Sequence, residues 1–137
     1  MNWLKKAVLP LCLVSGLASA EVAVIVHPSN NATLDQAEIT RLFTGRGATF
    51  SSGAKATPLN LADSAPARGE FDSKVLGKSS SQMKAYWSKL VFTGKGTPPK
   101  ELGSVAEVKA AVAADASAIG YIDAASVDAT VKVVAKF

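Results

Sequence analysis

The pattern of hydrophobic and polar positions divides residues 21–137 into strands and helices. Residues 22–26 (VAVIV) form a continuous apolar run, which is typical of a strand covered on both faces of its sheet. Shorter runs predict further strands at residues 57–61, 117–123 and 130–137. With the helices described next, the order is β-α-β-α-α-α-β-β. This order predicts an α/β fold: a three-layer domain with a mixed, mostly parallel sheet flanked by helices.

Four amphipathic segments predict the helices. The clearest has apolar residues at positions i, i+3, i+4, i+7 and i+8, the spacing of one helix face. These residues are Met83, Tyr86, Trp87, Leu90 and Val91. Three helices are predicted to begin at a Ser or Thr that is followed three residues later by Gln or Glu, the pattern of a capping box. These pairs are Thr33/Gln36, Ser79/Gln82 and Ser104/Glu107. Residues 95–103, which contain two adjacent prolines, are predicted to form a rigid loop.

Residues 1–20 have the pattern of a cleaved secretory signal peptide. Two lysines precede an apolar run, and the small residues ASA end the segment. Cleavage after Ala20 would leave residues 21–137 as a single domain, exported to the periplasm if the cell has two membranes. Cys12, the one cysteine of the chain, would leave with the signal peptide. The mature chain would then have no disulfide and no thiolate metal site.

The charge of the chain argues against a nucleic-acid partner. The formal net charge is +4, and loss of Lys5 and Lys6 with the signal peptide would lower it to +2. This excess is small and scattered along the sequence, whereas nucleic-acid binding requires clustered basic residues.

No catalytic group, metal site or cofactor is predicted. His27 is the single histidine, and no carboxylates with metal-ligand spacing lie near it. The chain has no G-x-S-x-G nucleophile motif. Glu70 and Asp72 are two residues apart on a predicted helix, so they point to different faces and do not form a catalytic pair. The sequence therefore favours a protein that is not an enzyme.

The chemistry that remains is an anion site within residues 56–71 (ATPLNLADSAPARGEF). This stretch predicts a strand, a polar turn and the first turn of a helix. Unpaired backbone N–H groups and the helix dipole favour an anion at such a helix start, and Arg68 adds a fixed, positively charged fork. The alternative is an ordinary helix N-terminus capped by Asp63 or Ser64.

Four motifs resemble the phosphate-binding periplasmic component of ABC phosphate importers, whose fold is that of the type II periplasmic binding proteins. Residues 22–31 (VAVIVHPSNN) resemble a strand that ends in an N-P-x-N turn, and residues 34–45 (LDQAEITRLFTG) resemble an L-x-x-x-x-L-x-x-I-F-x-G helix. Residues 65–71 (APARGEF) fall where members carry S-G-T-R-x-x-F, and residues 117–122 (SAIGYI) are similar to G-A-I-G-Y-V. The motifs occur in the order found in the family.

The resemblance implies a short relative that has the fold of one of the two lobes of these binding proteins. It places the phosphate site at the turn where the family carries S-G-T-R. In the family, the Ser and Thr of the S-G-T-R turn donate to phosphate. Ala65 and Ala67 stand in those places here, and only Arg68 matches. Ser64 would supply a replacement hydroxyl. Further contacts are expected from the turn after the first strand, formed by Ser29, Asn30 and Asn31.

Two functions follow from the resemblance. The first is a secreted, non-enzymatic protein that binds inorganic phosphate or a similar oxyanion, related to the substrate-binding components of ABC transporters. A symmetric homodimer would rebuild a two-sided cleft around the ion, and the sequence leaves the oligomeric state open. The second is a periplasmic interaction or sensory module that kept the fold and lost the ligand. It would dock on a membrane permease or sensor through residues 95–100 or an exposed sheet edge.

Overall fold

The computed structural model describes residues 21–137, so the predicted signal peptide and Cys12 lie outside the described residues. The strands are β1 (Val22–Val26), β2 (Thr57–Leu61), β3 (Lys100–Leu102), β4 (Ala118–Asp123) and β5 (Lys132–Lys136). The α-helices are α1 (Gln36–Phe43), α2 (Pro66–Phe71), α3 (Ser80–Phe92) and α4 (Val105–Ala114). A π-helical turn (Asp72–Leu76) continues α2, and a 3₁₀ turn (Ala124–Ser126) follows β4. None of the helices in this part of the chain is long and apolar enough to cross a membrane.

The strands form one five-stranded sheet in the order β3-β2-β4-β1-β5. β2 pairs in parallel with β3 and β4, and β1 pairs antiparallel with β4 and β5. Four strands therefore run in one direction and β1 alone runs in the opposite direction, which confirms the predicted mixed, mostly parallel sheet. β1 lies between two neighbours, and all its residues are buried, as its continuous apolar sequence predicts.

Helices cover both faces of the sheet, and two consecutive residues of β4 show this. Gly120 faces α4, where the Cβ of any larger residue would lie 2.7 Å from Cγ1 of Val108. Tyr121 points to the other face, where its ring stacks on Phe71 of α2 with centroids 3.9 Å apart and meets Phe43 of α1 edge-on. The predicted three-layer arrangement is confirmed. Close packing of α4 on the sheet requires glycine at position 120.

Two of the three predicted helix starts are confirmed, and one is wrong. Ser79 begins α3 with a complete capping box, and Ser104 begins α4 by accepting a hydrogen bond from the N–H of Glu107. Thr33 does not begin α1. The N-cap is Asp35, whose carboxylate accepts a hydrogen bond from the N–H of Glu38 at 2.8 Å. The residues before Asp35 are not helical, and the side chain of Leu34 is buried in the core.

The predicted loop at residues 95–103 contains the short strand β3. Lys100, Glu101 and Leu102 pair in parallel with Leu59, Asn60 and Leu61 of β2 at the edge of the sheet. Two of the three β3 residues are exposed, so the sequence carries no apolar pattern that would predict a strand. The strand matters for function because it brings Glu101 beside the predicted anion site.

Candidate anion-binding site

The predicted anion site lies at the carboxyl ends of two adjacent parallel strands, β2 and β3. Ligands of open α/β sheets bind at the carboxyl ends of the strands. Residues 62–65 turn the chain from β2 into α2, whose N-cap is Ala65 and has no side-chain hydrogen bond. The alternative cap by Asp63 or Ser64 is therefore wrong.

Arg68 is the centre of the site, and its guanidinium group is already engaged. The residue is 3% exposed. Nη1 donates to the carbonyl oxygen of Leu61 at 2.7 Å and to Oε2 of Glu101 at 3.1 Å, and it lies 3.3 Å from Oδ1 of Asp63. Nε donates to Oδ2 of Asp72 at 2.9 Å. The sequence predicts a guanidinium group held in place and ready to contact an anion. In the structure, three carboxylates, those of Asp63, Asp72 and Glu101, surround this group.

Asp72 is the buried partner of this pair. Its Oδ2 also accepts a hydrogen bond from the hydroxyl of Ser80 at 3.0 Å, and its Oδ1 has no partner within the described residues. Burial raises the pKa of Asp72 above its ordinary value, although Arg68 and Ser80 oppose that rise. For Arg68, burial lowers the pKa, but the attraction of Asp72 and Glu101 outweighs it, and the pKa lies above its ordinary value. Nε of Arg68 and Oδ2 of Asp72 thus form an ion pair whose two side chains are almost fully buried.

A cavity of about 430 Å³ lies beside Arg68. Its buried polar lining is Asn60 of β2 and Arg68 itself. Its exposed charged lining consists of Asp63, Lys84 and Glu101, and Lys84 Nζ contacts Oδ2 of Asp63 at 2.9 Å. The remaining lining comes from α3 and the loop after it: Trp87, Ser88, Val91, Phe92, Pro98 and Pro99. One side of the cavity is therefore polar and the other largely apolar.

Asn60 presents a hydrogen-bond donor beside the cavity. Its Oδ1 accepts from the N–H of Leu61 at 2.9 Å and from the hydroxyl of Tyr121. These two donors fix the orientation of the amide, so that Nδ2 is the donor it has to offer a ligand. Asn60 is 6% exposed. No motif in the sequence marks Asn60, although it is a polar residue within the apolar strand TPLNL, and buried polar residues are uncommon.

Trp87 is buried, as its place on the apolar face of α3 predicts. It also lines the cavity, and its Nε1 is buried without a hydrogen-bond partner within the described residues. Val91, predicted on the same apolar face, is 52% exposed, and the next residue, Phe92, is 91% exposed. The predicted helix is confirmed, but its apolar face is not buried along its whole length. The end of α3 extends beyond the layers that cover Met83 and Trp87.

The structure does not bring together the two predicted halves of the site. Val26, at the end of β1, pairs with Ile119, which also pairs with Pro58 near the start of β2. The turn after β1 is therefore at the opposite end of the sheet from Arg68, a separation of roughly 13 Å along β2. The physical reason is the antiparallel direction of β1.

The side chains of that turn bond within it or near it. Ser29 Oγ lies 2.8 Å from Nδ1 of His27, and Asn30 Oδ1 accepts a hydrogen bond from the N–H of Ala32 at 2.8 Å. Asn31 is exposed. Ser64, the other predicted ligand residue, is exposed in the turn before α2, close in sequence to Arg68. Of the predicted set, Ser64 and Arg68 lie at the start of α2, and Ser29, Asn30 and Asn31 lie together at the other end of the sheet.

Comparisons with known proteins agree with this fold. No protein-family model matches the chain, and no curated protein matches it. Among solved structures, an ABC-type phosphate transport receptor from Vibrio cholerae is similar with a TM-score of 0.66 and 18% sequence identity. A putative phosphate ABC transporter substrate-binding protein with bound phosphate from Clostridium perfringens is similar with a TM-score of 0.65 and 19% identity. PstS from Borrelia burgdorferi is similar with a TM-score of 0.63 and 14% identity.

These similarities concern the fold and part of each neighbour. Each alignment covers 84% of this chain, but 45%, 44% and 46% of the respective neighbours. The chain thus spans less than half the length of these structures. The resemblance to the phosphate-binding component of ABC importers is confirmed at the level of the fold.

Proposed function

We propose that the protein is an exported, non-enzymatic binding protein that holds phosphate or a similar oxyanion in the cavity beside Arg68. The observation that supports this most is the position of Arg68. It is a buried arginine, held in one orientation by Leu61 and Asp72, at the carboxyl end of β2. Guanidinium groups match the geometry of oxyanions, and the amide of Asn60 adds a second donor at the same cavity. Structures of similar fold include a protein with bound phosphate.

The carboxylates around Arg68 select which oxyanion fits. The side chain of Glu101 is 52% exposed, so it can turn into water at little cost when an anion contacts Arg68. Asp63, 44% exposed, can stay and accept a hydrogen bond from the O–H of a phosphate that retains a proton, a donor that sulfate lacks at neutral pH. The site therefore favours phosphate over sulfate.

The affinity is expected to be modest. The rim of the cavity is exposed, so each contact competes with water, and salt screens the attraction between charges. A dissociation constant of about 0.1–1 mM at low ionic strength corresponds to roughly −4 to −5.5 kcal/mol. Raising the salt concentration should weaken the binding.

Replacement of Arg68 is a poor test of this site, because it would also leave the buried Asp72 without its partner. Lys84 is better placed, since its side chain lies at the exposed rim of the cavity. We expect Lys84→Gln to weaken phosphate binding in calorimetric titration. Lys89→Gln, on the same helix but outside the cavity lining, removes the same charge and should leave the affinity unchanged. Equal affinities for both variants would contradict the assignment.

The second candidate function is a docking module for a permease or sensor in the cell envelope. One observation favours it: Phe92 and Val91 are large apolar side chains that remain exposed at the end of α3, next to the edge strand β3. If this surface docks a membrane protein, crosslinking in intact cells should join position 92 to that protein. In that case phosphate should have no effect on the crosslink, and Phe92→Ser should abolish the association without changing the fold.

A further inference from the structure

We propose that the cavity accepts an organic monophosphate, an oxyanion that carries an apolar group. The proposal rests on the proposed function, because the phosphate group would use the site beside Arg68. It goes further in stating that the rest of the ligand is apolar and lies against α3. Inorganic phosphate would then match only one part of the preferred ligand.

The size of the cavity is the first reason. Inorganic phosphate needs the space of two or three water molecules, roughly 60–90 Å³. The cavity holds about 430 Å³, which falls within the range of pockets that bind organic ligands. A phosphate ion beside Arg68 would leave most of this volume to water.

The division of the lining is the second reason. Asn60, Arg68 and Glu101 come from β2, α2 and β3, and they form the polar side. The apolar side comes from α3 and the loop that follows it, and consists of Trp87, Val91, Phe92, Pro98 and Pro99. A ligand with one anionic end and one apolar end matches both sides. The exposed side chain of Phe92 would leave water on contact with the apolar end, which is favourable.

Unsatisfied donors are the third reason, and they favour a ligand rich in acceptors. Nε1 of Trp87 is buried without an acceptor within the described residues, and Trp87 lines the cavity. Asn60 also lines the cavity, and because its Oδ1 already accepts two hydrogen bonds, its amide N–H groups are the part that a ligand would meet. Buried N–H groups without an acceptor are rare in folded proteins. The donors around the cavity are these N–H groups, Arg68 and Lys84. A phosphate ester offers them three non-bridging oxygens and one bridging oxygen, whereas a carboxylate offers only two oxygens.

The test compares phenyl phosphate with inorganic phosphate by calorimetric titration of the purified protein, with phenol as a neutral probe. We expect phenyl phosphate to bind at least tenfold more tightly than phosphate, a difference of about 1.4 kcal/mol. Phenol alone should bind more weakly than either anion. Phe92→Ser, at a position so exposed that folding should not depend on it, should weaken the binding of phenyl phosphate at least threefold more than it weakens the binding of inorganic phosphate.

The possible failures are distinguishable. If phosphate binds and phenyl phosphate binds no more tightly, the organic ligand is refuted and the proposed oxyanion site stands. If neither binds, both proposals fail. If phenyl phosphate binds more tightly but Phe92→Ser has no effect on it, the apolar group does not lie against α3 and the proposal is wrong.

Discussion

Replacing Glu101 with Gln should strengthen phosphate binding, because this carboxylate occupies the same guanidinium nitrogen that an oxyanion would contact. Oε2 of Glu101 accepts from Nη1 of Arg68 at 3.1 Å, and half of its side chain is exposed. Glu101→Gln keeps the shape of the side chain and removes its negative charge. The variant therefore removes both a competitor for Arg68 and a source of repulsion.

The magnitude follows from the geometry. An anion bound to Arg68 would lie about 5 Å from the Glu101 carboxylate, where two unit charges repel by roughly 0.8 kcal/mol in bulk water and 3 kcal/mol at an effective dielectric of 20. Because Glu101 is half exposed, the lower end applies, about 1 kcal/mol. This corresponds to phosphate affinity that is higher by a factor of about 5. The stability of the fold should change by less than about 1 kcal/mol, as for other exposed ion pairs.

The assay is calorimetric titration of phosphate into the wild-type protein and the variant at low and at high ionic strength. Glu38→Gln is the control, since Glu38 lies on α1 and does not line the cavity. It changes the net charge by the same amount, so it should leave the affinity unchanged. Unchanged or weaker phosphate binding in Glu101→Gln would refute the reasoning.

Three further predictions concern stability. Arg68→Ala should lower the free energy of unfolding in urea by about 3–5 kcal/mol, because it leaves a buried carboxylate without a counter-charge, and a loss below about 1 kcal/mol would contradict this. Gly120→Ala should cost about 1–3 kcal/mol through overpacking against α4, whereas Gly69→Ala, with no atom near the new Cβ, should not destabilise the protein. Hydrogen bonds from the Thr130 hydroxyl and from Lys109 lower the pKa of Asp128 to about 2. The ionised Asp128 carboxylate therefore stabilises the fold above about pH 4, and this stabilisation is lost as the pH falls toward 2. Thermal unfolding of Asp128→Asn and wild type should therefore differ at neutral pH and converge in acid.

Local patterns in the sequence predict the layers of this fold but not its edges. The apolar run of β1 and the helical spacing of Met83 and Trp87 predict burial because each pattern covers a whole element. Strand β3 has three residues and little apolar character, so it depends on pairing with β2, which the sequence pattern does not encode. The exposure of Val91 depends on where the sheet ends, which is likewise a property of the assembled fold.

The candidate site was predictable to the extent that its contacts are local. Arg68 and its place at a helix start follow from the strand–turn–helix pattern, and Asp72 lies four residues later, a spacing at which opposite charges meet on a helix. Glu101 contacts Arg68 across 33 positions of the sequence, through pairing of β3 with β2. The direction of β1 likewise separates Ser29 from Arg68. Such contacts arise from topology, and no local spacing predicts them.

Binding of an oxyanion beside Arg68 can be measured by calorimetric titration of phosphate at low ionic strength, with sulfate titrated for comparison. We expect saturable heat with phosphate, weaker binding of sulfate, and loss of affinity as salt is added. Absence of saturable heat at millimolar phosphate, with the protein folded, would contradict it.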